Sequence, residues 1–424
     1  MDVLMVHTLF LRLRGLRAGV GEIVVALRIH VMYVVSTHDL RFEGAMKITG
    51  YRTLQTVHDW GRPVGDVNGV IASGITDVPI VILETDEGVE GIGMGTHADL
   101  ERLFPALEGK DPRAVTALYD AMLDRVFKSS HNGATFGGIG AFDTALWDLK
   151  AKLAGEPLWR LLGADDRFVT GYASPLDAGI PDDELAALYG RFAARGFTAA
   201  KLKGGRDLAR DLARFDIARD ALGANDPAFM LDANESWNLK QAVRYVSAIE
   251  EKVDLTWIEE PLRRWDAAGH ARLSSAVRAA VATGENLTGL EQYRPILDAG
   301  GVDVVQAGAV WGITHLQRVA IAAHARDLPV SPVGLTANFA VAAVAAAIPN
   351  HLTAEVQDLG SPVGVTIDQE IAGGGIVLGD RPGAGIAIDE ASIAAYHASG
   401  NWQEPAGPHV RSPRAGLRLA DQGA

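Results

Sequence analysis

Three carboxylates recur at nearly equal intervals in the second half of the chain: Asp232 in FMLDAN, Glu259 in TWIEEPL and Glu285 in VATGENL, each closing a short apolar run. A parallel β/α barrel spends roughly 25 to 30 residues on each strand-helix unit, since eight strands and helices fill about 250 residues. Successive units of that length bring their strand ends to one rim. Oxygen ligands without His or Cys favour a hard cation, so the trio reads as a site for one divalent ion, Mg²⁺ first and Mn²⁺ second. One unit upstream, AAKLKGG ends another run with Lys201 and Lys203, whose period-two spacing turns both side chains to one face. A paired-lysine base and a metal would then share a pocket. The Lys201 charge and the ion would both lower the pKa of Lys203, leaving a neutral amine near neutral pH. Singly, these residues would be helix caps or solvated strand ends; the ordered set is what points to chemistry.

The elements that must carry them can be read around them. From Met46, KITGYRTLQTV alternates like a strand, a Gly-rich segment spans Gly61 to Gly74, and VPIVILETDEGVEGIGMG reads as a hairpin around Asp86, Glu87 and Gly88. Pro112 to Phe127 has helical spacing, and a second helix stops near Gly155 and Pro157 before resuming. That is an α+β unit. From Arg167 the pattern alternates, with candidate strands VTGYAS, AAKLK, FMLDAN, LTWIEEP, AVATGE, VDVVQAG, PVSPV and LTAEV separated by helical stretches. Strands alternating with crossover helices specify a parallel sheet closed into a barrel, whose site lies where the strands end. After Glu355, GGGIVLGDRPGAGIAIDE reads as a small β element returning to the first unit. The expected division is an N-terminal extension over 1–45, non-native or disordered; a capping domain over 46–165; a barrel over 166–365; a return to the cap over 366–395; and a flexible tail over 396–424.

Composition narrows the class. The chain has 424 residues, a formal net charge of -14 and no cysteine. The charge argues against nucleic acid and anionic membranes as partners, so an anionic substrate needs a locally positive site. Disulfides, thiolate metal sites and cysteine nucleophiles are excluded. Leu9 to Val35 is apolar but broken by Arg12, Arg14, Arg17, Glu22 and Arg28, too often for a span of about 20 apolar residues. A start assigned upstream of a functional Met46 and a cytoplasmic location are the expectations.

The series KLK, LDAN, WIEEP and GEN, in this order and spacing behind an α+β unit, resembles the enolase superfamily, and within it the mandelate racemase and muconate lactonizing enzyme group, over roughly Met46 to Glu390. The resemblance implies an α/β fold, a modified TIM barrel (β/α)7β with an α+β capping domain. It also implies Mg²⁺ held by Asp232, Glu259 and Glu285. Lys203 would remove the proton next to a substrate carboxylate, giving an enediolate. Asn234 matches a position that contacts substrate or metal-bound water, and Glu355 an acid that, when protonated, hydrogen-bonds the developing oxyanion. Glu260 has a supporting role. His58, Asp59, Trp60 and His97 fall beside the loops that cap the pocket in relatives. Relatives commonly assemble as dimers or octamers.

Two departures bear on the reaction. Racemases and many acid-sugar dehydratases of the group pair a His after strand seven with an Asp after strand six; here PVSPVGL places Val333 and Gly334 at the first position, and VVQAGAVWGIT places Gly308 or a neighbour at the second. Lactonizing relatives put a Lys after strand six, and AGAVWG has none. Chemistry needing one base, dehydration of an acid sugar or related hydroxy acid on a single face, is therefore expected. A racemase, a cycloisomerase and a noncatalytic carboxylate binder are the alternatives. His315 is a candidate proton donor if the loop after strand six folds inward.

Overall fold

The computed structural model describes residues 46–129 and 132–399. The expected extension over 1–45 lies outside them, as do residues 400–424 of the expected tail. Strand β1 (Ile48–Asp59) leads into a hairpin of β2 (Val64–Asp66) and β3 (Gly69–Ile71). Strands β4 (Ile75–Thr85) and β5 (Gly91–Met94) complete an antiparallel sheet in the order β1-β4-β5. Helices α1 (Leu100–Leu103), α2 (Val115–Val126), α3 (Ala134–Ala154) and α4 (Leu158–Leu161) follow. α3 stops where Gly155 adopts a φ of 68° and its N–H turns back to the Ala151 and Lys152 carbonyls, a left-handed cap that glycine makes without a Cβ penalty. The glycines of GIGMG let α3 lie directly on β5: a Cβ on Gly93 would stand 1.9 Å from the Ala141 carbonyl oxygen.

Beyond α4 the chain alternates strictly. The series is β6 (Phe168–Ala173), α5 (Asp182–Ala193), β7 (Ala199–Lys203), α6 (Leu208–Leu222), β8 (Ala228–Asp232), α7 (Leu239–Ile249), β9 (Leu255–Glu259) and α8 (Ala267–Ser274). It continues through β10 (Ala280–Thr283), α9 (Leu290–Asp298), β11 (Val304–Gly308), α10 (Ile313–His324), β12 (Val330–Val333), α11 (Val341–Ala347) and β13 (Ala354–Val356). Each candidate strand read from the sequence is present. β6 to β12 are successive parallel neighbours, β13 pairs with β6, and a parallel bridge between Val330 and His351 joins β12 to the approach of β13. With a helix after every strand but the last, this is the (β/α)7β arrangement. Inside it, Tyr172, Met230, Trp257, Ala282 and Val304 make an apolar plug. Met230 and Trp257 precede Asp232 and Glu259 by two residues on the same strands, so this plug floors the charged residues.

The chain closes with β14 (Val365–Ile367), β15 (Gln369–Ala372), β16 (Gly375–Leu378), β17 (Ile386–Ile388) and α12 (Glu390–Ala398). This stretch does not all return to the cap. The Val363 N–H donates to the Val57 carbonyl at 2.9 Å and the Ala384 N–H to the Asp148 carboxylate at 2.7 Å, both in the cap. The β15–β16 hairpin instead pairs with the first barrel strand, Gly375 opposite Thr170 and Val377 opposite Phe168. α12 runs to Ala398, past residue 396 where the sequence reading begins its tail. No helix among the described residues is long and apolar enough to cross a membrane.

Candidate functional site

Register explains how residues far apart in sequence meet. Lys203, Asp232 and Glu259 are cross-strand partners on β7, β8 and β9, and Lys201 lies level with Met230 and Trp257. In a parallel sheet, partners in register point the same way, so the three form a row at the strand ends. The next residue of the set needs a bend. Gly284 has a φ of 131°, and a Cβ there would lie 2.2 Å from the Gln306 carbonyl oxygen; only glycine permits the turn that presents Glu285. Asn234, Glu235 and Glu260, directly after two of these strands, hold positive φ of 44°, 59° and 39°. Backbone strain of this kind concentrates at functional sites.

The charges interlock. The Lys201 ammonium donates to Glu259, lies 2.8 Å from Glu355 and 3.7 Å from Asp232, and sits over the Tyr172 ring at 5.5 Å. Lys203 Nζ reaches Asp232 Oδ2 at 2.5 Å, and its backbone N–H donates to Asp177 at 3.0 Å. Glu259 also accepts from Trp257 Nε1 at 3.0 Å and Gln306 Nε2 at 2.7 Å. Asn234 bonds Asp232 through its backbone N–H at 2.9 Å and its side-chain amide at 3.2 Å. Glu260 accepts from Asn286 Nδ2 at 2.8 Å, which fits the supporting role expected of it.

Two protonation states differ from the sequence expectation. Burial alone would lower the Lys203 pKa, yet the touching Asp232 carboxylate outweighs both burial and the repulsion of Lys201, and the net direction is up. Glu355, expected to act as a protonated donor, is likewise shifted by its neighbours in the opposite direction. Burial pushes it up, but Lys201 and Lys203 pull it below the usual range, and the Gly334 N–H donates to it at 2.7 Å.

The acids outnumber the cations that meet them. Burial, opposed by Lys201 and reinforced by Asp232 and Glu355, pushes Glu259 up to about 8; burial, then Glu355, pushes Glu285 up to about 7. Burial and the neighbouring Glu285 raise Glu260 as well. The Glu285 carboxylate makes no hydrogen bond or ion pair among the described residues. A surplus of buried oxygen donors with one carboxylate unmet suits a hard divalent cation. The residues that would hold it are Asp232, Glu259 and Glu285. In this arrangement the two ammonium groups bridge the carboxylates, and among the described residues no three acidic or imidazole side chains already stand as a coordination sphere.

The two positions of the expected dyad carry neither an acid nor an imidazole. A Cβ on Gly308 would stand 2.7 Å from the Glu285 carbonyl oxygen and 2.8 Å from Trp311 Nε1, whose N–H donates to that carbonyl at 2.6 Å. Trp311 thus fills the place of a side chain at 308, and Val333 is fully buried. The short link from β11 to α10 is pinned where Thr314 donates through its N–H at 2.7 Å and its hydroxyl at 2.5 Å to Asp143 of α3. His315 consequently does not swing inward. It is buried on α10 against Phe136 and Tyr293, ring centroids 5.0 and 5.7 Å away, and burial lowers its pKa to about 4.

Of the cap residues, His58 is buried and bonds Asp358, just past β13, at 2.6 Å. Trp60 packs against His58 with ring centroids 4.7 Å apart, tilted, and donates to Thr76 at 2.9 Å. Both help seat the cap on the barrel rim. His97 Nε2–H donates to the Ile80 carbonyl at 3.0 Å within the cap sheet, and no recorded contact joins it to the clustered charges. Sequence reasoning missed Asp177, Tyr172, Gln306 and Trp311. Gln306 carried a signal, since it lies two residues before Gly308 and so shares its inward face.

Comparison with known proteins places the molecule. Residues 70–163 match the mandelate racemase / muconate lactonizing enzyme N-terminal domain, and residues 184–392 match the enolase C-terminal domain-like family. The chain is 31% identical over 323 residues to a 3,6-anhydro-alpha-L-galactonate cycloisomerase of Streptomyces coelicolor, covering 73% of this chain and 88% of the relative. It is 33% identical over 277 residues to an L-talarate/galactarate dehydratase of Salmonella typhimurium, covering 60% and 68%. Among solved structures, a racemase from Streptomyces coelicolor with bound magnesium superposes with a TM-score of 0.75 at 28% identity, over 82% of this chain and all but 1% of that one (99% covered). An L-talarate dehydratase from a Polaromonas species, complexed with Mg and L-glucarate, gives 0.72 at 28% identity, over 82% and 97%. The chain belongs to the mandelate racemase / muconate lactonizing enzyme group of the enolase superfamily.

Proposed function

We propose that this chain is a Mg²⁺-dependent lyase that removes the proton α to the carboxylate of an acid sugar and expels the β-hydroxyl from the same face. The observation that carries the reading is the row Lys203, Asp232 and Glu259, in register at the strand ends with Lys201 beneath it. Removing such a proton puts further negative charge on an anion, so the developing charge must be met strongly. Mg²⁺ held by Asp232, Glu259 and Glu285 would supply Lewis-acid stabilisation worth several kcal/mol and take up the carboxylate charge that otherwise falls on Lys203. Lys203 then acts as the base, a role that typically contributes about 10²–10⁴-fold. Lys201, locked among Glu259, Glu355 and Asp232, keeps its proton and lends a fixed positive charge.

Lys203, once protonated, is the acid nearest the departing hydroxyl. Gly308 and Val333 stand where two-base relatives would carry an Asp and a His, which supports a reaction using one base and disfavours a racemase using two. The dehydratase relatives act on acid sugars by their names, which supports that substrate class. The cycloisomerase relative makes ring opening or closure the second reading, since it too begins with one proton transfer.

The experiment is proton NMR in D₂O with Mg²⁺ and a panel of aldonic, aldaric and uronic acids. A 2-keto-3-deoxy acid product bears out the dehydratase reading. An epimer or a rearranged isomer of unchanged mass overturns it in favour of the isomerase readings.

A further inference from the structure

Lys203 also lines a cavity of about 460 Å³ whose walls include none of the clustered carboxylates. That is within the roughly 300–1,000 Å³ of small-molecule sites. Its walls are Asp66 and its neighbours at the end of β2, the Ala178–Pro181 loop ahead of α5, and Arg206, Arg210 and Arg214 at and before the first turns of α6. With Lys203 this gathers a strongly positive lining in a chain whose net charge is -14. The lone acid of the lining is engaged, since Asp66 accepts from the backbone N–H of Asn68 at 2.5 Å and Gly69 at 3.3 Å.

The three arginines are not equivalent. Arg214 is buried and committed, 3.1 Å from the Asp177 carboxylate and donating to the Asp177 carbonyl at 2.7 Å. Arg210 pairs at 2.8 Å with Asp182, both half exposed. Arg206 makes no hydrogen bond or ion pair among the described residues, and it is exposed at the cavity wall. A guanidinium at the wall of a cavity that Lys203 also lines, with its fork geometry suited to a carboxylate, can receive a second anionic group. A larger cavity of about 760 Å³ beside Asn286 and Trp311 is apolar along Leu287, Pro295 and Ile296. Its Arg264 is spent on Glu235 at 2.6 Å, so it offers no such receptor.

We propose that the cavity beside Lys203 binds the far-end carboxylate of a diacid sugar, with Arg206 as its anchor and Arg210 beside it, so that the substrate is an aldaric acid in preference to an aldonic one. This rests on the reading of Lys203 as the base, because that fixes where the α-carbon sits and hence which cavity the rest of the substrate enters.

The test compares the Mg²⁺-loaded wild type, Arg206→Ala and Arg206→Lys on pairs of six-carbon acids that share stereochemistry and differ in oxidation at the far carbon. Calorimetric binding and kcat/KM are both read. The expected result is a wild-type preference for the diacid, and a loss in Arg206→Ala that is about ten- to a hundredfold greater for the diacid than for the monoacid, carried by KM. Arg206→Lys recovers part of it. Equal effects on both acids, or tighter binding of a terminally phosphorylated monoacid, would overturn the diacid assignment. Absence of turnover with every acid would instead defeat the catalytic reading, and the binding comparison would still decide the subsite.

Discussion

Placing an aspartate at position 308 would restore the strand-six acid of two-base relatives, and the structure says what this would cost. A Cβ there meets the Glu285 carbonyl oxygen at 2.7 Å and Trp311 Nε1 at 2.8 Å, while the indole N–H bonds the same carbonyl at 2.6 Å. Overpacking of this kind costs about 1–3 kcal/mol, and losing the indole hydrogen bond adds about 1 kcal/mol. Gly308→Asp should therefore destabilise the protein by about 2–4 kcal/mol. Part of that cost belongs to the indole and part to the backbone carbonyl. Denaturant unfolding of Gly308→Asp, Trp311→Ala and the double variant separates them. The double-mutant cycle should give a coupling of about 1 kcal/mol or more, within the 0.5–3 kcal/mol seen for touching residues, with Gly308→Asp milder once the indole is gone. The variant should acquire no epimerase activity, because Val333 still stands where the partner His would be needed. Strictly additive effects would refute the idea that Trp311 occupies the place of the missing acid.

Mg²⁺ should raise the unfolding midpoint, adding about 2.7 kcal/mol of stability at a hundred times its Kd; Glu285→Gln should weaken the response and a chelator should abolish it, whereas a wild-type midpoint indifferent to Mg²⁺ would remove the metal from the account. His315 bears on acid stability: its folded pKa is about 4 against an ordinary 6.5, because burial disfavours the charged ring. The unfolded chain therefore binds the proton first as pH falls from 6.5 toward 4, and stability drops across that window, by about 3 kcal/mol at its low end. His315→Gln should flatten that part of the stability-pH curve measured by denaturant unfolding, and an unchanged slope would show the ring is already protonated or exposed in the folded protein.

Much of the fold was legible because alternation and register are local properties. The short apolar runs ending in Lys203, Asp232 and Glu259 specify both the strands and the level at which those side chains emerge. The bend at Gly284 was legible only as a glycine before a glutamate, since its positive φ is imposed by the Gln306 carbonyl on the next strand. The split course of the C-terminal segment was not legible: its β15–β16 hairpin has the same alternation whether it pairs with the cap or with β6. The charge balance around Lys203 was legible only in part, for a comparable reason. Lys203 beside Lys201 in sequence suggests repulsion, while the dominant neighbour, Asp232, comes from a strand about thirty residues on (residues 203 and 232). The basic cavity was hidden as well, because the spacing of Arg206, Arg210 and Arg214 does not tell which distant loops, those at Asp66 and Ala178–Pro181, complete its walls.

The central claim is that Lys203 removes the α-proton, and exchange of that proton is the most direct test. Wild type and Lys203→Ala should be incubated in D₂O with Mg²⁺ and the best acid of the panel, with Mg²⁺ binding measured on the same preparations. The account predicts loss of the α-proton signal in wild type, the proton passing to solvent, and a rate reduced by about 10²–10⁴-fold in Lys203→Ala, with Mg²⁺ still bound through Asp232, Glu259 and Glu285. Exchange persisting at the wild-type rate in a metal-loaded Lys203→Ala protein would contradict it.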